Sequence, residues 1–407
     1  MQPDLIISGA KLAGHAVPMD LAIGNGRILD VAPTIASDAP RFDAQGHLLS
    51  AGFVECHIHL DKANILDRCR LTEGTLAEAV AETARLKAAF TEEDVYARAA
   101  QVVEQAISHG TTAMRTFVEI DPRAGLRSFA AIKAIRRDYA HAISIEICAF
   151  AQEGLTNEPQ TAALLASALS NGADLVGGCS YTDPDPVAHI SRIFDLAERF
   201  GVAADFHVDF DLDPAGSDLP VIIAETERRG WQGRVACGHV TKLSAMPRDA
   251  VRVIAEQLSH AGIGVVALPS TDLFLLGRHA EMLSPRGVAP LMDLAAAGVV
   301  TAVASNNIVN PFTPFGDASL LRQANLFANI AHLARDTDVA LAFAAIGANP
   351  ARLLGRPHGI TVGAEADLVL IDAVSPEDAV RRVAPVIASW KLGRQTVSRP
   401  APTLLGL

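Results

Sequence analysis

The chain has 407 residues, of which 50% are apolar and 20% are charged, so it can bury a large hydrophobic core. Its 46 acidic residues outnumber its 34 basic ones, and no dense run of Lys or Arg occurs, which argues against a nucleic-acid partner. No apolar stretch reaches the roughly 18 to 20 residues of a membrane span, and Met1-Gln-Pro-Asp-Leu5 lacks the basic residues that begin a secretory signal. We therefore expect a cytoplasmic protein that acts on a small molecule and binds neither nucleic acid nor a membrane.

Short strand patterns occur at both ends of the chain. Residues 5–30 alternate β-type runs with turn signals such as Gly24-Asn-Gly26, and residues 363–371 and 386–393 have the same character. From this similarity we expect the two ends to form one small β-sandwich. The predicted sandwich domain covers residues 1–50 and 356–407, and the predicted central domain covers residues 51–355.

In the central region, β-rich runs alternate with stretches of helical period. Eight alternating units favour an α/β fold with a closed (β/α)8 TIM-like barrel of parallel strands. A doubly wound nucleotide-binding sheet is the alternative, but it needs a Gly-rich turn where this chain has His57-Ile-His-Leu-Asp-Lys62. The predicted strands are 53–57, 112–118, 142–150, 173–178, 203–208, 234–239, 264–268 and 299–305, and predicted helices include 75–87, 94–109, 157–171, 187–200, 219–229 and 248–261.

Four histidines lie at the ends of predicted barrel strands. His57 and His59 end the first strand two residues apart, so both face the same side, while His207 ends the fifth strand and His239 the sixth. Because the reactive face of such a barrel is formed by the carboxyl ends of its strands, we expect all four side chains to meet there. Imidazoles suit one zinc or iron ion, which lowers the pKa of a bound water and so favours hydrolysis.

Further polar side chains follow other strands. Gln152 comes after the third strand, and its amide can both donate to and accept from the edge of an amide-like ring, although a solvated loop amide is an equal alternative. Glu119 and Asp121 follow the second strand, where we expect solvated or supporting carboxylates. The ammonium of Lys62 either contacts the pocket or pairs with the neighbouring Asp61.

The ordered set of motifs resembles the amidohydrolase superfamily, and within it the cytosine deaminase-like branch that includes the N-isopropylammelide isopropylaminohydrolases. The resemblance spans nearly the whole chain and implies a barrel flanked by a β-sandwich built from both chain ends. The motifs are Phe53-Val-Glu-Cys-His-Ile-His-Leu-Asp-Lys62, Ala149-Phe-Ala-Gln-Glu-Gly154, Asp174-Leu-Val-Gly-Gly178, Asp205-Phe-His-Val-Asp209, Gly238-His-Val-Thr241, Asn310-Pro-Phe-Thr-Pro-Phe-Gly316 and Gly363-Ala-Glu-Ala-Asp-Leu-Val-Leu370.

The resemblance implies a metal-dependent hydrolase that cleaves a C–N bond of a small nitrogen heterocycle. One zinc or iron ion would be held by His57, His59 and His207, with Asn306 at the position of the remaining ligand. His239 matches the histidine that orients the attacking water or the substrate. For substrate binding, the resemblance points to Gln152, Lys62 and Asn307.

Two positions depart from the family pattern. The strand-eight aspartate of the family, a metal ligand and proton acceptor, is Asn306 here, and an amide oxygen coordinates weakly and cannot take a proton from water. The proton-shuttling glutamate that follows the strand-five histidine in cytosine deaminases is Phe210, so Asp209 or Asp211 is the candidate for assisting proton transfer.

Asn306 leaves three interpretations open. The chain is a natural enzyme with an altered mechanism, carries an inactivating substitution, or is a homologue that only binds its ligand. Within the enzyme class, hydrolysis of a cyclic amide is an alternative to removal of an exocyclic amine. The simplest structural interpretation of Asn306-Asn307 is a polar turn after the eighth strand. The sequence is compatible with a homo-oligomer.

Overall fold

The structure is a computed structural model that describes residues 2–400, 402 and 405, so the remaining positions of the predicted sandwich domain, Met1, 401, 403, 404, 406 and 407, lie outside the described residues. Its strands are β1 (Leu5–Ala10), β2 (Met19–Gly24), β3 (Arg27–Ala32), β4 (Arg41–Asp43), β5 (Leu48–Ala51), β6 (Phe53–Ile58), β7 (Thr111–Glu119), β8 (Ser144–Ala151), β9 (Leu175–Cys179), β10 (Ala203–Val208), β11 (Val235–His239), β12 (Ile263–Ala267), β13 (Thr301–Val303), β14 (Leu368–Ile371), β15 (Val386–Lys391) and β16 (Arg394–Ser398). Its α-helices are α1 (Leu76–Lys87), α2 (Glu92–Ser108), α3 (Arg127–Asp138), α4 (Gln160–Ser170), α5 (Pro186–Phe200), α6 (Leu219–Arg229), α7 (Arg248–His260), α8 (Pro269–Leu275), α9 (Leu291–Ala296), α10 (Leu320–Ile330), α11 (Asp336–Ala344), α12 (Ala348–Leu353) and α13 (Pro376–Arg382).

The central sheet contains the eight strands β6 to β13 in chain order, and its registered neighbours are parallel. A parallel bridge between Ile58 and Asn306 brings the last strand back beside the first. In this bridge the backbone N–H of His59 donates to Asn306 O at 2.8 Å, and Asn306 N–H donates to His57 O at 2.8 Å. The predicted TIM-like barrel is confirmed, and its seam lies directly beside the predicted metal ligands.

Local hydrogen bonding explains where the barrel elements begin. Thr75, Thr91 and Ser319 each accept a backbone N–H with the side-chain hydroxyl at the N-terminus of α1, α2 and α10, respectively. Strand β8 begins later than predicted because Ala142 N–H and Ile143 N–H donate to Tyr139 O in the turn that ends α3. The apolar faces of the helices then pack on the outer surface of the barrel in one large hydrophobic core.

The two chain ends form two four-stranded sheets, in the orders β3-β2-β1-β4 and β16-β15-β14-β5. They enclose a separate hydrophobic core that contains Ile7, Leu21, Leu49, Leu368 and Trp390. The predicted sandwich from both chain ends is therefore confirmed as part of the fold, whereas the domain boundaries at residues 50 and 355 remain a prediction.

Strand β5 of the sandwich leads into β6 of the barrel through Gly52. A Cβ atom at this position would lie 2.3 Å from the side chain of Thr112, so only glycine leaves room for that side chain. The sandwich thus fixes the start of the strand that carries His57 and His59. Within the described part of the chain, no helix has both the length and the apolar character needed to cross a bilayer.

Candidate metal-dependent active site

The carboxyl ends of the barrel strands, here called the mouth, bring three predicted ligands together. One ring nitrogen from each of His57, His59 and His207 lies within 4.8 Å of the others. The rings of His57 and His207 stack with centroids 4.4 Å apart, and all three side chains are buried. The period-two spacing on β6 and the parallel neighbours of β10 produce this cluster, as the sequence predicts.

The electrostatic environment keeps these three imidazoles neutral. Burial holds the pKa of each well below its usual range, and the nearby ammonium of Lys62 lowers the pKa of all three further. Neutral imidazole is the form that coordinates a metal.

Several polar atoms of this cluster have no hydrogen-bond partner. They are both ring nitrogens of His57, Nδ1 of His59, Nε2 of His207 and the amide oxygen Oδ1 of Asn306. A buried polar atom without a partner is costly, and such atoms are rare in folded proteins. A divalent cation would satisfy this set, because imidazole nitrogen and amide oxygen are both metal donors.

The position of His57 depends on the absence of a side chain at Gly238. A Cβ atom built there would lie 2.6 Å from Cε1 of His57, which is closer than real Cβ contacts. On its other side, the His57 ring packs against Phe117 with centroids 4.2 Å apart. The imidazole therefore has little room to move away from a group added at position 238.

We expect Gly238→Ala to weaken zinc binding by roughly 10- to 100-fold, because the added methyl displaces an imidazole from the cluster. Competitive titration against a chromogenic zinc chelator measures this change. Gly347→Ala is the matched control, since Gly347 lies at the N-terminus of α12, where a Cβ atom would lie 3.3 Å from His358 and 3.9 Å from the backbone oxygen of Phe343 and meet none of the predicted ligands. Unchanged zinc affinity in Gly238→Ala would contradict the expected displacement of His57.

His239, the fourth predicted histidine, has a carboxylate partner. Its Nδ1 lies 2.8 Å from Oδ1 of Asp272, a buried residue of α8 whose other oxygen accepts the N–H of Leu268 at 3.2 Å. Burial raises the pKa of the Asp272 carboxyl, and the contact with His239 opposes that rise. An acceptor at this distance holds the ring proton on Nδ1 and leaves Nε2 as the second nitrogen available to a substrate.

Sequence reasoning missed Asp272. It lies 33 residues beyond His239, on a helix that follows β12, and the only sequence signal was a lone acidic residue in Leu268-Pro-Ser-Thr-Asp272. The His239 ring also packs against Phe210 with centroids 4.0 Å apart. The carboxylate and the aromatic ring together fix the orientation of the imidazole.

Lys62 lies at the mouth, but its ion-pair partner differs from the one considered above. The ammonium contacts Glu119 Oε1 at 2.5 Å, whereas Asp61 accepts the backbone N–H of Lys62. The same ammonium lies 3.5 Å from Oε1 of Gln152 and 4.3 Å from the ring centroid of Phe312. Lys62 and Gln152, both predicted to bind substrate, are therefore neighbours. The predicted alternative, an ion pair between Lys62 and Asp61, is wrong, because Glu119 is the partner.

A buried cluster of charges supports Lys62 from behind. Glu119, Asp121 and Glu153, here called the carboxylate cluster, surround the ammonium of Lys87, which lies 3.0 Å from Glu119 and 2.5 Å from Asp121 and also contacts Glu153. Burial alone would lower the pKa of Lys87, but the three carboxylates raise it above its usual range. Both carboxylates at positions 119 and 121 are buried, so of the two expected roles the supporting one is correct and the solvated one is wrong. The cluster is compact enough for a metal ion, but the ammonium of Lys87 already lies among its three carboxylates.

The two aspartates considered for proton transfer have other partners. Asp209 accepts the hydroxyl of Ser217 at 2.5 Å and the N–H of Asp218 at 2.9 Å, so its carboxylate holds the loop before α6. Asp211 accepts the ammonium of Lys242 at 2.7 Å. A role for Asp209 in proton transfer remains a prediction.

Asn307, predicted to bind substrate, is buried beside the seam of the barrel. Its Oδ1 accepts Nδ2 of Asn310 at 2.7 Å, and the same amide group of Asn310 donates to the backbone oxygen of Lys62 at 3.2 Å. Asn307 is thus linked to the backbone of a pocket residue, and its own contact with a substrate remains a prediction.

An apolar cluster, here called the apolar cover, lies over the mouth and consists of Ala79, Phe210, Leu275 and Phe312. Phe210 contacts His239, and Phe312 lies beneath the ammonium of Lys62. Water is therefore largely excluded from the space around the histidines, which strengthens the electrostatic interactions there.

Comparisons with known proteins find relatives that match most of this chain. The profile described as the amidohydrolase family matches residues 71–397. A pterin deaminase of Rhizobium rhizogenes is 30% identical over 360 residues, which cover 87% of this chain and 82% of that protein. An N-isopropylammelide isopropyl amidohydrolase of Pseudomonas sp. (strain ADP) is 27% identical over 407 residues, which cover 96% of each protein. The crystal structure of 5-methylcytosine deaminase from Klebsiella pneumoniae liganded with 5-fluorocytosine superposes with a TM-score of 0.93 at 29% identity and covers 98% of each chain.

Proposed function

Because the chain belongs to the amidohydrolase family, we propose that it is a metal-dependent hydrolase that removes an amino or alkylamino group from a small nitrogen heterocycle. The observation that carries this proposal is the set of three buried histidines at the mouth of the barrel, each with at least one ring nitrogen that lacks a partner. The relatives named as deaminases of a pterin and of a methylated cytosine support a ring substrate with an exocyclic nitrogen.

His57, His59 and His207 would hold one zinc or iron ion, with Oδ1 of Asn306 as a fourth donor. When bound, such an ion lowers the pKa of a coordinated water so that the water can attack a ring carbon near neutral pH. The unpartnered atoms of these four residues are the reason for this assignment.

The protein side chains would bind the ring and move protons. Nε2 of His239 accepts a proton from the attacking water and returns it to the leaving nitrogen as the C–N bond breaks, while Asp272 holds the imidazole in place. Lys62 and Gln152 orient the polar edge of the ring, and the apolar cover keeps bulk water away. Asn306 cannot share in the proton transfer, so we expect slow turnover in the natural sequence.

Metal analysis combined with a substrate panel tests this function in the natural chain and in Asn306→Asp. We expect one zinc or iron ion per chain in both proteins, and release of ammonia or an amine from aminopterins, aminopyrimidines or aminotriazines. Restoring a carboxylate should raise kcat by roughly 10²-fold or more, because a general base contributes about that much. If both proteins bind metal and neither hydrolyses any compound of the panel, the proposed activity is wrong.

A non-catalytic ligand-binding protein is the second candidate, and the amide at position 306 favours it. Ligand binding without hydrolysis in the natural chain, with hydrolysis in Asn306→Asp, identifies this case. Ring-opening hydrolysis of a cyclic amide is distinguished by its product, which retains all the atoms of the substrate plus water. The cytoplasmic location and the homo-oligomer remain predictions.

A further inference from the structure

All four side-chain donors of the candidate metal centre are electrically neutral. Imidazole coordinates a metal as the neutral ring, which applies to His57, His59 and His207, and the fourth donor is the amide of Asn306. A divalent ion held by these groups keeps its full double charge, because none of its protein ligands is an anion.

The nearby carboxylates of the described residues already have protein partners. In the wall of the mouth, Glu119 pairs with Lys62 and Lys87, and Asp272 pairs with His239. Three other carboxylates accept mainly backbone N–H groups. Glu55 accepts from His57 and Ser305, and Asp61 accepts from Lys62 and Glu119. Asp209 accepts the N–H of Asp218 and the hydroxyl of Ser217. These contacts direct their negative charge toward protein donors and away from an added ion.

A positive side chain lies on the substrate side of the same site. Lys62 is 2% exposed, and its ammonium lies between Gln152 Oε1, at 3.5 Å, and the face of Phe312. Its partner Glu119 is shared with Lys87, so one carboxylate serves two buried ammonium groups. Lys62 thus presents an ammonium on the side of the ring, while its counter-charge lies in the carboxylate cluster that also surrounds Lys87.

We propose that the metal-loaded centre takes its heterocycle as an anion, such as a ring imide that has lost the proton of the N–H between its two carbonyl groups. This rests on the proposed function and names the substrate class of that site. A dication with neutral ligands and a neighbouring ammonium attract such a ring, whereas an aspartate at position 306 would cancel one positive charge next to it.

The anion azide probes this charge without any turnover. Azide binding is measured from the visible spectrum of the cobalt-loaded protein, for the natural chain and for Asn306→Asp. We expect the natural chain to bind azide at least about tenfold more tightly, because the variant places a carboxylate against the same ion. Asn306→Gly removes the amide, adds no charge and tolerates the left-handed backbone at this position, so it should retain the tight azide binding.

Asn171→Asp is the matched control for the charge change, since Asn171 is an exposed residue at the end of α4. It should leave the azide affinity unchanged. A ring probe extends the test: 5-nitrouracil, which ionises at mildly acidic pH and is an anion at neutral pH, should bind the natural chain more tightly than its 1,3-dimethyl derivative, which cannot ionise. Asn306→Asp should reduce that preference.

Equal azide affinity in the natural chain and Asn306→Asp would overturn the inference, and so would equal binding of the two uracils to the natural chain. Neither result depends on hydrolysis, so each is distinguishable from a failure of the proposed activity, which is read from products. A natural chain that binds none of zinc, iron and cobalt would overturn both the proposed function and this inference.

Discussion

Replacing His239 with glutamine is expected to lower kcat by roughly 10²- to 10⁴-fold while the protein still binds its metal. The reason is that His239 is the only one of the four mouth histidines with a carboxylate partner in the described part of the chain, at 2.8 Å from Asp272. Glutamine can donate and accept hydrogen bonds but cannot carry a proton between water and the leaving nitrogen. Steady-state kinetics and metal analysis, in the natural chain and in the Asn306→Asp background, measure both effects.

Asp272→Asn separates the orienting role from the proton-carrying role. We expect it to lower kcat by roughly 10- to 100-fold with little change in KM, because the amide no longer fixes the ring proton on Nδ1. A structural role alone would lower thermal stability and leave kcat per folded molecule unchanged. Full kcat in His239→Gln, or loss of its metal, would contradict the assignment of His239.

Lys87→Met is expected to lower the free energy of unfolding by roughly 3–5 kcal/mol, because breaking a buried ion pair leaves its partners unpaired. The ammonium is 2% exposed and serves Glu119, Asp121 and Glu153 at once. Methionine fills a similar volume but offers no charge and no donor. Equilibrium unfolding in urea, followed by circular dichroism, measures the change.

The loss of unfolding free energy in Lys87→Met should depend on pH. Burial alone would raise the pKa of Glu119, but the two lysines lower it from 4.5 to about 2, so its stabilising contribution is full above pH 4.5 and is lost as the pH falls toward 2. The difference between Lys87→Met and the natural chain should therefore shrink in acid. Lys133→Met is the control on α3, where the half-buried lysine donates to the backbone oxygen of Asn171 and lies 5.4 Å from the ring centroid of Phe129, and we expect a change below about 1 kcal/mol. Similar losses in both variants would contradict the role assigned to the carboxylate cluster.

The sequence predicts the barrel and the histidines because both depend on simple periodicities. Strand alternation places His57 and His59 on one side of β6, and the parallel order of the strands brings His207 and His239 to the same end. The bounds that differ from prediction lie at turns, as at residues 142–143, where backbone hydrogen bonds continue the end of α3.

The supporting residues could not be predicted because their partners are distant in sequence. Lys87 ends an amphipathic helix, where a cation ordinarily faces solvent and the helix dipole, yet its ammonium reaches carboxylates 32 and more residues away. Asp272 reaches back from a helix to a histidine on another strand. Such contacts follow from how helices are laid over the mouth, and no local pattern encodes that arrangement.

The seam of the barrel also limits how this protein can evolve. Asn306 joins the last strand to the first and has a φ of 60°, a left-handed conformation that asparagine, aspartate and glycine tolerate far better than other residues. Exchange between asparagine and aspartate at position 306 changes the charge of the site and preserves the backbone conformation of the seam. Because the codons of asparagine and aspartate are neighbours in the genetic code, a lineage with this fold can pass between the two charge states by a single mutation without first losing its barrel.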